Sequence, residues 1–429
     1  MTGSSVRSDW VAIERACAKV STDRLWRMHE QMAAFGAIPG PGVNRQAFSA
    51  EDIAARKAML AWLEPHGFEI FVDDIANLFI RRPGRNPALP PVMTGSHMDS
   101  QPRGGRFDGI YGVLAGIEVL FALEDAGLAT EHPVEVVAWS NEEGSRFAPG
   151  AMGSMAYCGV KNLAELLDIE DGEGIVLRDA LAQTLAATPR ARPRTFGTPA
   201  AAYIEAHIEQ GPLLEQQATT IGVVTGIQGT RWFSVSLQGE SAHAGTTPVA
   251  SRRDAFQAAV AVVNELNALV AAEPDDLRFT IGRFDVVPNT PNSIAERVSF
   301  SIDIRHPDGA LVRRLGDAVM ALHGGARLAC DIRVEETFNR QPCVFPAAVV
   351  DVVEAAAAGL GESHMRLASG AFHDALFMTD ICATGMIFVP CERGISHNPA
   401  ENAAPDDLAA GARVLLATLL CLAGISSDE

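Results

Sequence analysis

Five side chains spread over this sequence have the types and surroundings of metal ligands. His97, Asp108, Glu143, His207 and His397 are three imidazoles and two carboxylates, each beside a strand-like or helix-like run. Nitrogen and oxygen donors without thiolate suit borderline or hard divalent cations such as Zn, Mn, Co or Ni. Five donors exceed what one tetrahedral ion takes. They suit two ions if one carboxylate bridges, an arrangement in which metals about 3.5–4 Å apart share an activated water. Asp108 fits the bridge, because the glycine-rich GGRFDG around it lets the backbone turn tightly. Asp99, two residues beyond His97 on the same side of an extended segment, is placed to accept the second ring N–H. Glu142 and Glu143 are adjacent at a strand end, where carboxylates repel. Metal chemistry gives them separate tasks, one as ligand and one as general base for water, and spacing leaves open which is which.

The elements that must position these residues alternate in type. Pro91 to Gly95 and Val134 to Ser140 read as short apolar strands, and a long amphipathic helix runs from Gly109 with Asp108 at its N-cap. AAYIEAHIEQG carries His207 at its end. Such alternation predicts an α/β fold, a mostly parallel sheet covered by helices, with ligands beyond the carboxyl ends of the strands. From Thr230 the order becomes strand, helix (Arg252 to Ala272), strand, strand, helix (Gly309 to Leu322), strand. This is the βαββαβ of an inserted α+β domain. A helix over Ala347 to Gly359, the strand-like GMIFVP and a final helix return to the first texture. The change of texture sets off an insertion from Thr230 to about Asn339.

Composition narrows the partners. With 429 residues, 48% hydrophobic and 20% charged, the chain can bury a sizeable core. A formal charge of -19 disfavours nucleic acid and anionic membrane surfaces. The longest apolar stretch, VLLATLLCLAGI, falls short of the ~18 residues of a membrane span. Seven widely spaced cysteines, with no C-x-x-C pair, and an N-terminus without an apolar h-region fit a cytoplasmic protein.

Nine stretches in register carry a family resemblance: AFSAEDIAARKAMLAWLEPHGFEIFVDDIANLF, TGSHMDSQPRGGRFDGIYGVLAGIEVL, WSNEEGSRF, IEAHIEQGPLLE, GESAHAGTTP, VVPNTPNSI, SFSIDIRHPD, SGAFHDA and GISHNPAEN. Over about Ala47 to Asn402 the chain resembles the dinuclear-metal amidohydrolases of the hydantoinase/carbamoylase group, which includes N-carbamoyl-L-amino-acid hydrolases, allantoate amidohydrolases and β-ureidopropionases. The resemblance implies a metallopeptidase-like catalytic domain over 1–218 and 336–429 and an inserted lid and dimerisation domain over 219–335. It makes His97 and His207 terminal ligands of separate metals, Asp108 the bridge, Glu143 and His397 the remaining ligands, and Glu142 the general base. It implies a homodimer in which His243 reaches the partner subunit's site and stabilises the oxyanion. Arg305 and Asn292 are expected to grip the carboxylate of a small-molecule substrate together, with Gln210 and His373 as further contacts. One departure is Phe372 before His373, where relatives commonly have glycine; a phenylalanine there is expected to turn into the core. The implied reaction is hydrolysis of a linear ureido bond to amino acid, ammonia and carbon dioxide. N-acyl-amino-acid amidase or dipeptidase-like activity would use the same parts, and a non-catalytic ligand-binding role is the remote alternative.

Overall fold

The computed structural model describes residues 3–425. Two compact units divide it, Met1–Gly226 with Phe345–Glu429 and, inserted between them, Ile227–Val344. The cuts lie some residues beyond the expected 218 and 335. Strand Ile221–Ile227 belongs to the first unit's sheet, antiparallel to Ala383–Val389, and strand Cys330–Arg340 prolongs the second sheet past residue 335.

In chain order the strands used below are β1 (Glu69–Val72), β2 (Leu78–Arg82), β3 (Val92–His97), β4 (Val134–Trp139), β5 (Ala202–Ile208), β6 (Ile221–Ile227), β7 (Gly229–Gln238), β8 (Arg278–Val287), β9 (Arg297–His306), β10 (Cys330–Arg340), β11 (His364–Ser369) and β12 (Ala383–Val389). The helices are α1 (Ile110–Asp125), α2 (Ala255–Val270), α3 (Gly309–Met320), α4 (Ala347–Gly359) and α5 (Pro405–Ala423).

The first unit's sheet has the order β6-β12-β5-β3-β4-β2-β1, with β11 also paired to β6. Its centre, β12-β5-β3-β4, is parallel, and the β2-β1 side is antiparallel. Every residue of β3, β4 and β5 is buried, as expected for strands covered on both faces. α1 is buried from Ile110 to Leu123. It lies tight on the sheet because Gly112 has no side chain, and a Cβ there would strike the Ala206 carbonyl and Ser96. α5 packs over α1, and the Tyr111 hydroxyl donates to the Leu408 carbonyl at 2.9 Å.

The second unit is an antiparallel sheet, β10-β7-β9-β8. Burial alternates along β9, so Val298, Phe300, Ile302 and Ile304 face one way. That face packs Phe233, Val235 and Leu237 against Ala259 and Val262 of α2 and Leu315 and Val319 of α3. Burying each such large side chain contributes roughly 1.5–3 kcal/mol, enough for the unit to hold its own core. Both helices start on an aspartate cap: Asp254 accepts from the Phe256 and Gln257 amides and Asp308 from the Ala310 amide. This is why α2 begins at 255 and not at Arg252.

Candidate active site

The carboxyl ends of the parallel strands converge. β3 ends on His97, β4 runs through Ser140 and Asn141 into Glu142 and Glu143, and β5 carries His207 at its sixth position. Asp108 precedes α1, and His397 lies between β12 and α5. Asn141, Gln210 and His397 all have positive φ, at 54°, 56° and 52°. Non-glycine residues adopt such backbone at a cost of about 1–3 kcal/mol each, and three around one centre are typical of a functional site.

Two donor groups meet at Asp108. His97, Asp108 and His207 form one, all buried; Asp108, Glu143 and His397 form the other. Each Asp108 oxygen faces its own group. Oδ1 is 3.2 Å from His207 Nε2 and 3.8 Å from His97 Nε2, and Oδ2 is 3.2 Å from His397 Nε2. His397 Nε2 is also 3.5 Å from Glu143. The expected assignment of His97 and His207 to separate metals is therefore corrected. Their strands, β3 and β5, are direct neighbours in the sheet, which puts both rings on the same side of Asp108. The Nδ1 atoms of His97 and His207 pair with the Asp99 and Ile208 carbonyls at 2.9 and 2.8 Å, which turns each Nε2 toward the centre.

Two further expectations are corrected. Asp108 is not the N-cap of α1: Gly109 holds that place with φ 66°, and no side chain caps the helix. The Asp108 carboxylate turns to the imidazoles instead, and only glycine fits after it, because a Cβ on Gly109 would run into the His97 ring. The Asp99 carboxylate does not take the His97 N–H, from which it lies 3.7 Å away; the Asp99 main-chain carbonyl does. The carboxylate instead accepts the Glu142 and Glu143 amides at 3.2 and 3.1 Å, fixing the acidic pair where β4 has run out of sheet partners.

Glu142 belongs to neither donor group, yet its Oε2 stands 3.5 Å from His97 Nε2. Burial, then the charges of Asp374, Glu143, Asp99 and Asp108, raise its carboxyl well above the usual range. Burial and Asp108 push Glu143 up to about 8. Burial opposes charge on His207, but the hydrogen bond to Asp108, the charges of Asp108 and Glu205 and the Ile208 carbonyl together outweigh it and hold the imidazole up at about 9. Burial holds His97 down at about 4, whereas hydrogen bonding to His207 and His397 holds Asp108 well below the usual carboxylate range against its burial; cations at the two groups would offset the charge of the clustered carboxylates. The N/O donor set and the directed Nε2 atoms thus fit divalent metal ions.

Around this centre lie further residues, of which Gln101, Ser396 and Glu401 are ones that the sequence pattern did not single out. Gln101 holds both Glu143 oxygens, by its amide at 3.1 Å and its side chain at 2.6 Å. Gln210 donates to Asp108 Oδ2 at 3.0 Å, and Ser396 Oγ lies 3.2 Å from the same oxygen. Glu401, 1% exposed, accepts from the Phe107 and Asp108 amides. Their one sequence signal is membership of the quoted stretches. His373 is 2% exposed, pairs with Ser369 and sets its ring 4.6 Å from that of His207. Phe372 packs on Phe377 with Ala151 and Met155, so its bulk joins a small apolar cluster.

The remaining candidates lie in the second unit. The exposed His243 loop is bound to the Asn292 loop: His243 bridges to Ser293, and the Ala244 amide donates to the Asn292 carbonyl at 3.0 Å. His243 Nδ1 accepts the Gly245 amide at 3.0 Å, which leaves Nε2 carrying the proton as a donor. Arg305 is elsewhere. It sits at the far end of β9, opposite Thr230 and Arg278, and binds Asp303 at 2.8 Å. A strand rises about 3.3 Å per residue, so roughly 26 Å separates Arg297, beside the Asn292 loop, from Arg305. Within one chain that distance sets Arg305 and Asn292 apart.

A parallel-sheet unit with paired N/O donor groups at its strand ends, plus an antiparallel α+β insertion, defines the metallopeptidase-like hydrolases. Residues 93–420 match the peptidase family M20/M25/M40, and the chain belongs to that family. It is 37% identical over 405 residues to an N-carbamoyl-L-amino-acid amidohydrolase of Rhizobium meliloti, covering 94% of this chain and 96% of that protein. It is 34% identical over 396 residues to the allantoate amidohydrolase of Bacillus subtilis, covering 92% and 96%. The crystal structure of an amidase of the hydantoinase/carbamoylase family from Burkholderia vietnamiensis is similar, with TM-score 0.85, 44% identity and coverage of 94% of this chain and 98% of that one.

Proposed function

We propose that the protein hydrolyses the ureido C–N bond of an N-carbamoyl-L-amino acid or a related ureido acid. The observation that carries this reading is Asp108, with one oxygen in each of two donor groups and Glu142 beside them but in neither. His97, His207 and Asp108 would hold one divalent ion and Asp108, Glu143 and His397 the other. Bound there, the ions would acidify a shared water and polarise the substrate carbonyl. Glu142 takes the proton from that water, for which a buried carboxyl of raised affinity is suited, and returns it to the leaving nitrogen. His243 offers its Nε2–H to the oxygen that becomes negative. Arg305 takes the substrate carboxylate with two parallel bonds once it lets go of Asp303.

The separation of Arg305 from the His243 and Asn292 loops favours a homodimer, each site taking Arg305 from one chain and His243 with Asn292 from the other. The exposed rings of Phe256 and Phe284 lie beside the outer strand β8 of the second sheet, a surface suited to such an interface. Gln210 and His373 complete the proposed surroundings, His373 acting from beneath His207. Among the described residues no helix is long and apolar enough to cross a membrane; we place the protein in the cytoplasm.

The reaction is tested by assaying released free amino acid together with ammonia from N-carbamoyl and N-acetyl forms of one amino acid, with protein reconstituted in turn with Zn, Mn, Co and Ni. Ammonia from the carbamoyl form alone is the expected result. Turnover of the acetyl form only would make the enzyme an N-acyl-amino-acid amidase.

A further inference from the structure

Asp108 and His397 come from segments almost three hundred residues apart, yet the second donor group needs both within one ion's reach. Glu401 joins the main chain of one segment to the other, beside the Gln210 side chain, which reaches both Asp108 and Ser396. Glu401 Oε1 accepts the Phe107 amide at 2.9 Å and the Asp108 amide at 3.0 Å. Its Oε2 accepts the Ser396 hydroxyl at 3.0 Å, and Ser396 Oγ is itself 3.2 Å from Asp108 Oδ2. The carboxylate thus spans from the residue before His397 to the main chain of the bridging aspartate, and it does so while buried. The sequence makes room for it: a Cβ on Gly105 would overlap the Glu401 side chain.

We propose that Glu401 is a positioning residue that locks the Asp108 and His397 segments together, so that the group formed by Asp108, Glu143 and His397 can take its ion. This rests on the two-group reading above. Three amide or hydroxyl donors turned to one carboxylate fix its rotamer, and through it the two loops. Losing that anchor frees His397, a half-exposed side chain on a left-handed backbone residue, to leave the centre. His97 and His207 are instead held by β3 and β5, so their group depends on Glu401 only through Asp108.

The test titrates Co²⁺ into metal-stripped protein and follows visible absorption and bound metal. Wild-type protein taking up two ions upholds the two-group reading, and uptake of one or none overturns that reading before any variant is considered. Glu401→Ala is expected to weaken one ion roughly 10–100-fold and the ion of His97 and His207, which feels Glu401 only through Asp108, clearly less. Glu401→Gln keeps the acceptor for both amides and can donate to Ser396, so it is expected to recover most of the lost affinity. Gly105→Ala, which leaves every polar group in place but displaces the Glu401 side chain, is expected to weaken the same ion. Equal binding of both ions by Glu401→Ala and wild type would overturn the proposal. So would a parallel weakening of both ions in Glu401→Ala and Gly105→Ala with the thermal transition of the stripped protein unchanged.

Discussion

The two units place polar residues by opposite means. In the first, fully buried parallel strands end together, and the chemistry stands on their ends: His97, Glu142, Glu143 and His207 are held by main-chain and side-chain bonds on several sides. In the second, one face of an antiparallel sheet is core, and the candidate residues stand at opposite ends of that sheet, His243 in an exposed loop and Arg305 beside Asp303. A rigid layered sheet can concentrate a whole centre in one place. A small two-layer sandwich offers separate groups at its two ends.

The comparison can be broken first at the acid. Glu142→Gln should lower kcat by about 10²–10⁴-fold while metal content stays at wild type, since the amide keeps the shape but cannot take a proton. A variant with most of its activity left would remove Glu142 as the base. Next, the units should fail separately. Phe300→Ala removes a fully buried ring from the second core and should cost about 3–5 kcal/mol there. Calorimetry should show one transition lowered, with metal uptake by the first unit preserved; a single cooperative loss of both would contradict separate cores.

The sheet-end arrangement predicts a complementation. Arg305→Ala and Asn292→Ala should each lose roughly 10–100-fold in kcat/KM, about 1.5–3 kcal/mol for a lost charge-assisted bond. Mixed after joint refolding, they should regain up to roughly a quarter of wild-type activity, because half the dimers pair unlike chains and one site in each is whole. No recovery would place both residues in the same site of one chain. The smallest effect concerns His29, buried against Phe107 and Tyr111, where burial holds the imidazole down at about 3. The unfolded chain takes up that proton first as pH falls. The stability it supports is therefore complete above the ordinary 6.5 and lost toward 3, at about 1.4 kcal/mol per pH unit. His29→Phe should show a denaturant midpoint that falls less between pH 6.5 and 5 than that of the wild type. Parallel profiles would mean the ring is solvated.

Much of this arrangement was legible in the chain. The βαβ alternation and the βαββαβ insertion follow from apolar periodicity, because burial on one or both faces is written residue by residue. α4 begins and ends at Ala347 and Gly359 as its apolar spacing predicts. The donors His97, Asp108, Glu143, His207 and His397 could be named because metal ligands come from few residue types and fall at strand ends.

Sequence by itself therefore determined which elements form and which side chains gather beyond the carboxyl edge. Tertiary structure decided who faces whom. That His97 and His207 share one oxygen of Asp108 depends on β3 and β5 being neighbours, a sheet order that spacing along the chain does not encode. That Asp99 binds the Glu142 and Glu143 amides, and that Arg305 stands a strand's length from Asn292, depend on main-chain groups and register. Hydrogen-bond partners and distances arise only when segments far apart in sequence are packed, and packing is a property of the whole fold.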